Sequence, residues 1–349
     1  MKGVIVEAVG SPYRVVEDLK IPDPSDDQIL VKSIAAAINP ADTFMQSTGL
    51  LVTAWPIVLG CDASGIVTKV GSAASSHFKV GDRVCGCTRL GVPGYSTFQE
   101  YFCMDAKLAL PTPKALSFQQ GATIGVGTYT ACLGLLSGLK LEIPQSFPSS
   151  TEKDEWVVIL GGAGSVGQYS LQIASALGYK VVATCSQKTA TLVKSLGADA
   201  VIDYSKSEED QLQELKDITS GNFSGVWDSV ARSEQLARKA LKNVSTGQRK
   251  FFATTDDWTP MEEDEDHETS RVKLGLIGRQ GDDIKEAPMI NEEIASYIPF
   301  LTRLLEAGKL QPNEFKVVSK GFEGVAEAVE VQQKGSSAGS KVVVELDDQ

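Results

Sequence analysis

The stretch that decides the fold is VVILGGAGSVGQ, residues 157–168. Its apolar, mostly β-branched start predicts a buried strand, and the glycines that follow predict a tight turn into a helix. Gly162, Gly164 and Gly167 have the spacing G-x-G-x-x-G, which is weak evidence by itself because many glycine-rich turns match it. The surrounding sequence has to decide whether this turn binds phosphate.

Strand and helix patterns alternate on both sides of this turn. A Pro/Ser-rich link at 142–154 leads into the strand, and Gly178 is predicted to end the helix that follows. Next come, in order, KVVATC, KTATLVKSLG, DAVIDY, EDQLQELKDIT and GVWDSV. Such alternation is typical of an α/β domain with a doubly wound parallel sheet. The glycines therefore stand where a Rossmann dinucleotide site requires them.

Each glycine has an expected role in that site. Gly162 permits the tight turn, Gly164 lets the backbone approach a pyrophosphate, and Gly167 lets helix and strand pack closely. Ser165 and Val166 open the helix, whose N-terminus faces the phosphates.

The end of the next strand indicates which dinucleotide binds. NAD sites usually have Asp or Glu there, to hold the ribose 2′-hydroxyl. This chain has TCSQK at 184–188, in which Ser186 and Lys188 suit a 2′-phosphate and no side chain repels one. The sequence predicts NADPH.

The first third of the chain has a different pattern. Short apolar runs alternate with Gly, Pro and Asp turns and predict a small barrel or sandwich. A helix is predicted from Ser117, its N-cap, through the apolar stretch that ends near residue 136. The last strand, SKVVVEL, is expected to return to this N-terminal domain.

Composition excludes several classes of function. The net charge of −12 among 349 residues argues against nucleic acid and anionic membranes as partners. Six scattered cysteines without a C-x-x-C and only two histidines argue against a zinc ribbon, a disulfide framework and a Ser-His-Asp triad. With no signal peptide or membrane-spanning pattern, we expect a cytoplasmic protein. The acidic stretch 256–268, which contains His267, is expected to be a solvated loop.

The whole chain resembles the medium-chain dehydrogenase/reductase superfamily. The resemblance rests on GDRV, GGAGSVG, IDY and the closing GSKVVVEL, which follow the family order. AINPAD and GTYTACLGL are most similar to the fungal toxD-like, trans-acting enoyl reductases of polyketide biosynthesis, with zinc-free quinone oxidoreductases next. The resemblance implies a GroES-like catalytic β-barrel domain at 1–125, a Rossmann domain at 126–290 and a return to the catalytic domain at 291–349. A cleft would lie between the two domains.

The resemblance also implies site residues. Thr128 and Tyr129 would lie near the nicotinamide, Asn39 at the floor of the active site, and Tyr204 beside Ser186 and Lys188 at the adenosine 2′-phosphate. Zinc-dependent members have a Cys and a His-Glu pair where this chain has INPADTF and Cys61-Asp62. A thiolate and a carboxylate can in principle bind zinc, but no third ligand is evident, and we expect no metal. The family likeness and the acidic stretch both favour a monomer.

Without zinc, the chemistry that remains is hydride delivery to an activated C=C, giving an enolate that is then protonated. Several trans-acting enoyl reductases carry a lysine where this chain has Phe44, which leaves water, Tyr129 or Thr43 as the proton source. Apolar side chains from three loops are expected to line an acyl channel with Phe44: Trp55, Leu90, Tyr95, Phe98, Leu274 and Ile277.

Three functions stay open at this point. The first is reduction of an enoyl thioester, with a polyketide synthase as a possible source of carrier-bound substrate. The second is reduction of free quinones or enones, and the third is a non-catalytic NADPH-binding accessory role.

Overall fold

The computed structural model describes residues 1–144, 152–244, 249–262, 264–280, 284–335 and 339–347. Residues 145–151 of the Pro/Ser-rich link lie outside the described residues. The chain forms two compact units. Unit 1 comprises Met1–Val126, Leu274–Ala307 and Pro312–Gln349, and unit 2 comprises Gly127–Lys273 and Gly308–Gln311.

Unit 2 is built around a parallel sheet. In chain order its strands are β9 Trp156–Leu160, β10 Lys180–Cys185, β11 Ala200–Asp203, β12 Phe223–Asp228, β13 Phe251–Thr254 and β14 Glu268–Arg271. They pair in the order β11-β10-β9-β12-β13-β14, and every pairing is parallel. The α-helices between these strands are α4 Ser165–Ala176, α5 Ala190–Ser195, α6 Glu208–Thr219 and α7 Glu234–Lys242. The expected Rossmann sheet is therefore confirmed.

Unit 1 is mainly antiparallel. Its strands are β1 Gly3–Val6, β2 Arg14–Val16, β3 Gln28–Ile38, β4 Ile57–Val58, β5 Asp62–Val70, β6 Arg83–Cys87, β7 Tyr101–Asp105, β8 Leu110–Pro111, β15 Phe315–Lys320 and β16 Lys341–Glu345. Its helices are α1 Pro40–Thr48, α2 Phe118–Ala122, α8 Ala287–Glu306 and α9 Val325–Gln333. The larger sheet runs β15-β16-β3-β5-β6-β8, with β7 also on β3, and the smaller runs β2-β1-β4. Because β16 pairs antiparallel with β3, the predicted return of the last strand is confirmed.

Helix α3 spans Gly125–Cys132 and is separate from α2. The sequence predicted one continuous helix from Ser117, and the N-cap is right: Ser117 Oγ accepts from the Gln120 backbone N–H at 3.1 Å. The helix is interrupted at Thr123 and Ile124, and the backbone N–H of Val126 donates to Asp62 Oδ1 at 2.7 Å instead of continuing α2. A contact distant in sequence decides this break.

Residues 274–280 belong to unit 1, whereas the sequence placed the return to that domain at residue 291. The reason is local packing and hydrogen bonding. The Arg279 guanidinium donates to the carbonyl oxygens of Leu51 and Leu90. A Cβ on Gly275 would lie 2.8 Å from a Leu51 methyl carbon. These contacts hold the segment against two loops of unit 1, at Leu51 and Leu90.

The acidic stretch 256–268 is anchored at both ends, contrary to the expectation of a wholly solvated loop. Asp256 and His267 are both buried. The Asp256 carboxylate accepts from the backbone N–H groups of Trp258 and Thr259, and the His267 ring meets Phe252 edge-on. Strand β14 then follows at the edge of the sheet, at a place where the sequence predicted no strand.

Among the described residues, none of the helices combines the length and the apolar character that crossing a bilayer requires.

Candidate cofactor and substrate site

The glycine-rich turn connects β9 to α4 as the sequence predicted, but the structural roles of its glycines differ from the predicted ones. The left-handed residue is Gly161, with φ +89°. Its N–H donates to Thr184 Oγ1 at 2.9 Å, and the next N–H, of Gly162, donates to the Thr184 carbonyl at 2.8 Å. A Cβ on Gly162 would lie 3.0 Å from Ala183 Cβ, so Gly162 serves close packing on β10. The tight turn depends on Gly161.

The other two glycines meet opposite surroundings. A Cβ on Gly167 would lie 2.2 Å from the Gly161 carbonyl oxygen, so only glycine fits there. A Cβ on Gly164 would have Gly161 O at 3.7 Å as its nearest neighbour, so the space over Gly164 is open. Gly164 is also the N-cap of α4 and offers no side chain to the amides of the first turn. Open space above a helix N-terminus suits a phosphate, and these residues fit a dinucleotide.

Thr128 lies close to this turn. Gly127, which precedes it in α3, packs on α4: a Cβ there would lie 2.6 Å from Ser165 Oγ and 2.9 Å from the Tyr169 ring. Thr128 is fully buried, and its Oγ1 has no hydrogen-bond partner within the described part of the chain. A buried hydroxyl without a partner costs about 1–3 kcal/mol, so its persistence fits a group supplied by a bound ligand. Tyr129 is likewise buried, with 1% of its surface exposed.

The three residues predicted to hold the 2′-phosphate follow the carboxyl ends of the neighbouring strands β10 and β11. Strands β10 and β11 are parallel, with Cys185 opposite Asp203, and the Tyr204 N–H donates to the Cys185 carbonyl at 3.2 Å. Ser186 follows Cys185, with its Oγ 3.0 Å from Thr189 Oγ1, and Lys188 and Tyr204 are both exposed. The carboxyl ends of parallel strands are where such sheets bind ligands.

Asn39, in unit 1, is held by a buried polar cluster. It is 2% exposed, its Nδ2 donates to Asp62 Oδ2 at 2.9 Å, and its Oδ1 accepts from Lys341 Nζ at 2.5 Å. Its backbone N–H donates to Asp42 Oδ2 at 2.8 Å at the start of α1. Both ends of the Asn39 amide are therefore engaged inside unit 1.

Known proteins agree with this arrangement along the whole chain. Residues 25–114 match the alcohol dehydrogenase GroES-like domain, and residues 165–263 match the zinc-binding dehydrogenase family. Trans-enoyl reductase poxP of Penicillium oxalicum is 30% identical, over 99% of this chain and 93% of that protein. Trans-enoyl reductase TOXD of Cochliobolus carbonum is 36% identical, over 73% of this chain and 84% of its own length.

The chain belongs to the medium-chain dehydrogenase/reductase superfamily. Trans-enoyl reductases are among the relatives that it matches over nearly its full length, and it is an oxidoreductase. The fold agrees with a solved member, the Escherichia coli quinone oxidoreductase complexed with NADPH: the TM-score is 0.72, with 24% identity over 99% of this chain and 100% of that one. The fold and the family expected from the sequence are confirmed.

Some members of the superfamily bind zinc and others do not. The question is whether the side chains of this chain that could coordinate zinc suit that metal. The Cys61 and Cys87 thiols and an Asp62 carboxylate oxygen lie within 4.8 Å of one another and are buried. Lys341 Nζ already lies 3.3 Å from Asp62 Oδ2. A hydrogen bond with Cys87 and burial raise the pKa of the Cys61 thiol, and burial raises that of Cys87. A buried ammonium and two protonated thiols do not fit a divalent metal.

The residues predicted to line an acyl channel fall into different environments in this reductase. Phe44 is 51% exposed on α1, and Trp55 is half-buried with its ring near Gly49. Tyr95 is held in a polar network: its hydroxyl accepts from Gln28 at 2.7 Å, and the Arg89 guanidinium lies 4.3 Å from its ring centre. Four others are buried within unit 1: Leu90, Phe98, Leu274 and Ile277. Of this set, Phe44 is exposed, and Trp55 and Tyr95 are half-buried.

The sequence reasoning missed three residues that shape these sites. Thr184 holds the glycine turn, Gly161 carries its left-handed conformation, and Lys341 supplies a buried cation beside Asn39. Lys341 had a visible signal, because a lysine opens the otherwise apolar strand KVVVE. No comparable signal pointed to its partners Asn39 and Asp62, since they lie about 280–300 positions earlier in the chain.

Proposed function

We propose that this protein reduces the activated C=C of an α,β-unsaturated acyl thioester with NADPH and without zinc. The observation that carries the proposal is the nearly full-length match to proteins named trans-enoyl reductases. In line with the resemblance to trans-acting enoyl reductases of polyketide biosynthesis, the substrate class we favour is a polyketide intermediate carried by a separate synthase. The cytoplasm is the compartment that we expect.

NADPH would be held by unit 2. The first turn of α4, from Ser165 through Val166 to Gly167, would bind the pyrophosphate where Gly164 leaves open space. Ser186, Lys188 and Tyr204 would take the 2′-phosphate, because this strand end offers a hydroxyl and an ammonium where NAD sites have an acid. Thr128 Oγ1 would gain the partner it lacks from the nicotinamide carboxamide.

NADPH, when bound, would supply the hydride that adds to the β-carbon of the substrate, and protonation at the α-carbon would complete the reduction. The residues of this chain bind and orient the reactants. Of the three sources left open by the sequence we favour water, because it needs no side chain within reach of the α-carbon and because Thr43 Oγ1 already donates to Gln332 Oε1 at 3.4 Å. Phe44 and Trp55 would contact the acyl chain.

We expect the active form to be a monomer. The acidic stretch 256–268 leads directly into β14, the edge strand of the parallel sheet, and like charges disfavour pairing of two such edges. Light scattering at the mass of one chain, 37.2 kDa, would agree with this, and twice that mass would contradict it.

The test of the function is oxidation of NADPH by a panel of acceptors. Crotonyl and longer α-methyl enoyl thioesters of pantetheine represent the proposed substrates, and 9,10-phenanthrenequinone represents the quinone-reductase alternative. NADH and a metal chelator serve as controls. Turnover of thioesters with NADPH, unaffected by chelator, is the expected result. Turnover of the quinone alone would identify a quinone reductase, and tight NADPH binding without turnover would identify an accessory protein.

A further inference from the structure

Three side chains beside Asn39 are of the types that bind metals. Asp62 and Cys87 are register partners on β5 and β6, and Cys61 immediately precedes β5. Their donor atoms lie within 4.8 Å of one another in a fully buried setting. Two sulfurs and one carboxylate oxygen form a set that zinc or cobalt can accept.

A cation of the protein itself already pairs with the carboxylate of this cluster. The side chain of Lys341 is 6% exposed, and its Nζ lies 3.3 Å from Asp62 Oδ2 and 2.5 Å from Asn39 Oδ1. Asp62 is 0% exposed, so its negative charge has to be stabilised by groups of the protein. Besides the ion pair with Lys341, it accepts hydrogen bonds from Asn39 and from the Val126 backbone N–H. A buried carboxylate left without its cation is strongly destabilising.

We propose that Lys341 is the resident cation of the Cys61–Asp62–Cys87 cluster and takes the electrostatic place that a divalent metal ion would hold. The wild-type cluster then excludes metals, and removal of the ammonium opens the cluster to them. This assignment goes beyond the proposed enoyl reduction and does not depend on it, because its readout is metal binding and not turnover.

The experiment compares Co²⁺ binding by the wild-type protein, Lys341→Ala and Lys334→Ala. Lys334 is the matched control, because it pairs with Glu330 on the exposed face of unit 1. After dialysis against Co²⁺, Lys341→Ala should hold about one equivalent of metal and show the near-ultraviolet absorption of thiolate-to-cobalt charge transfer. Adding Cys87→Ser to Lys341→Ala should abolish that band. Wild type and Lys334→Ala should show neither the metal nor the band.

Two results would overturn the assignment. One is the same thiolate band in the wild-type protein, which would mean that Lys341 does not exclude metal. The other is a folded Lys341→Ala that binds no Co²⁺. Should Lys341→Ala not fold alone, refolding it and the milder Lys341→Gln with Co²⁺ decides the matter: recovery of folded protein with the band supports the assignment, and failure of both to recover contradicts it.

Discussion

The Gly161 carbonyl oxygen lies so close to Gly167 that a Cβ on Gly167 would be 2.2 Å away from it. This close contact packs the end of β9 against the first turn of α4. The G-x-G-x-x-G spacing allows it. The same turn leaves Gly164 uncrowded, with its nearest neighbour to a Cβ at 3.7 Å. Gly167 is therefore needed for the fold, whereas Gly164 leaves space in which a ligand can bind.

Gly167→Ala should mainly lower stability, whereas Gly164→Ala should mainly lower the affinity for NADPH. The methyl group at 167 meets backbone, and we expect a loss in the free energy of unfolding of about 1–3 kcal/mol, as for other overpacked sites. The methyl group at 164 meets no protein atom closely, so stability should change by less than about 0.5 kcal/mol. NADPH affinity should nevertheless fall by about tenfold or more, because the pyrophosphate has to approach this backbone. Denaturant unfolding and fluorescence titration measure both effects; unchanged affinity in folded Gly164→Ala would place the cofactor elsewhere.

Thr128→Val tests the hydroxyl that lacks a partner. Because Oγ1 is buried without a hydrogen bond among the described residues, replacing it with a methyl group should leave the ligand-free protein as stable as wild type, or more stable. NADPH binding should weaken by about tenfold if the hydroxyl pairs with the carboxamide. Thr269→Val is the matched control, because its Oγ1 in β14 is also buried and unpaired within the described ranges. Equal affinity losses in both variants would contradict the role of Thr128.

Ser186→Ala and Lys188→Ala should alter the choice between NADPH and NADH. Each removes a donor for the 2′-phosphate, and a hydrogen bond to a charged group contributes about 1.5–3 kcal/mol, so KM for NADPH should rise at least about tenfold. KM for NADH should not change, since that cofactor lacks the phosphate. Lys194→Ala, an exposed lysine on α5, is the control for loss of charge. A parallel rise in both KM values would show a structural defect and not lost phosphate recognition.

His267 should make stability depend on pH. Burial lowers its pKa, with Asp264, 3.6 Å from Nδ1, opposing that shift, and its Nε2 is buried without a partner in the described part of the chain. The unfolded chain therefore binds the proton more tightly than the native protein does. The contribution to stability is complete above the unfolded pKa of about 6.5 and is lost as the pH falls below it.

Denaturant unfolding at a series of pH values measures this effect. The stability difference between wild type and His267→Asn should shrink as the pH falls below about 6.5. His77→Asn, which changes the exposed histidine, should run parallel to wild type. A pH-independent difference for His267→Asn would contradict the account of its burial.

The sequence predicted what depends on local pattern. The parallel sheet, Ser117 as N-cap and Gly178 after α4 all follow from periodicity and from local turn chemistry. What it missed depends on contacts distant in the chain. The break before α3 rests on Asp62, the unit boundary at Leu274 follows the contacts of Arg279, and the cation beside Asn39 comes from the last strand. No window of neighbouring residues contains such information.

The central claim is that this chain transfers hydride from NADPH to an enoyl thioester. The most direct measurement is a reaction of crotonyl-pantetheine with NADPH deuterated at nicotinamide C4, using both C4 epimers, followed by mass spectrometry and NMR of the butyryl product. The account predicts deuterium from one epimer at the β-carbon and a solvent proton at the α-carbon. A butyryl product without deuterium from either epimer, or no butyryl product at all while a quinone is reduced, would contradict it.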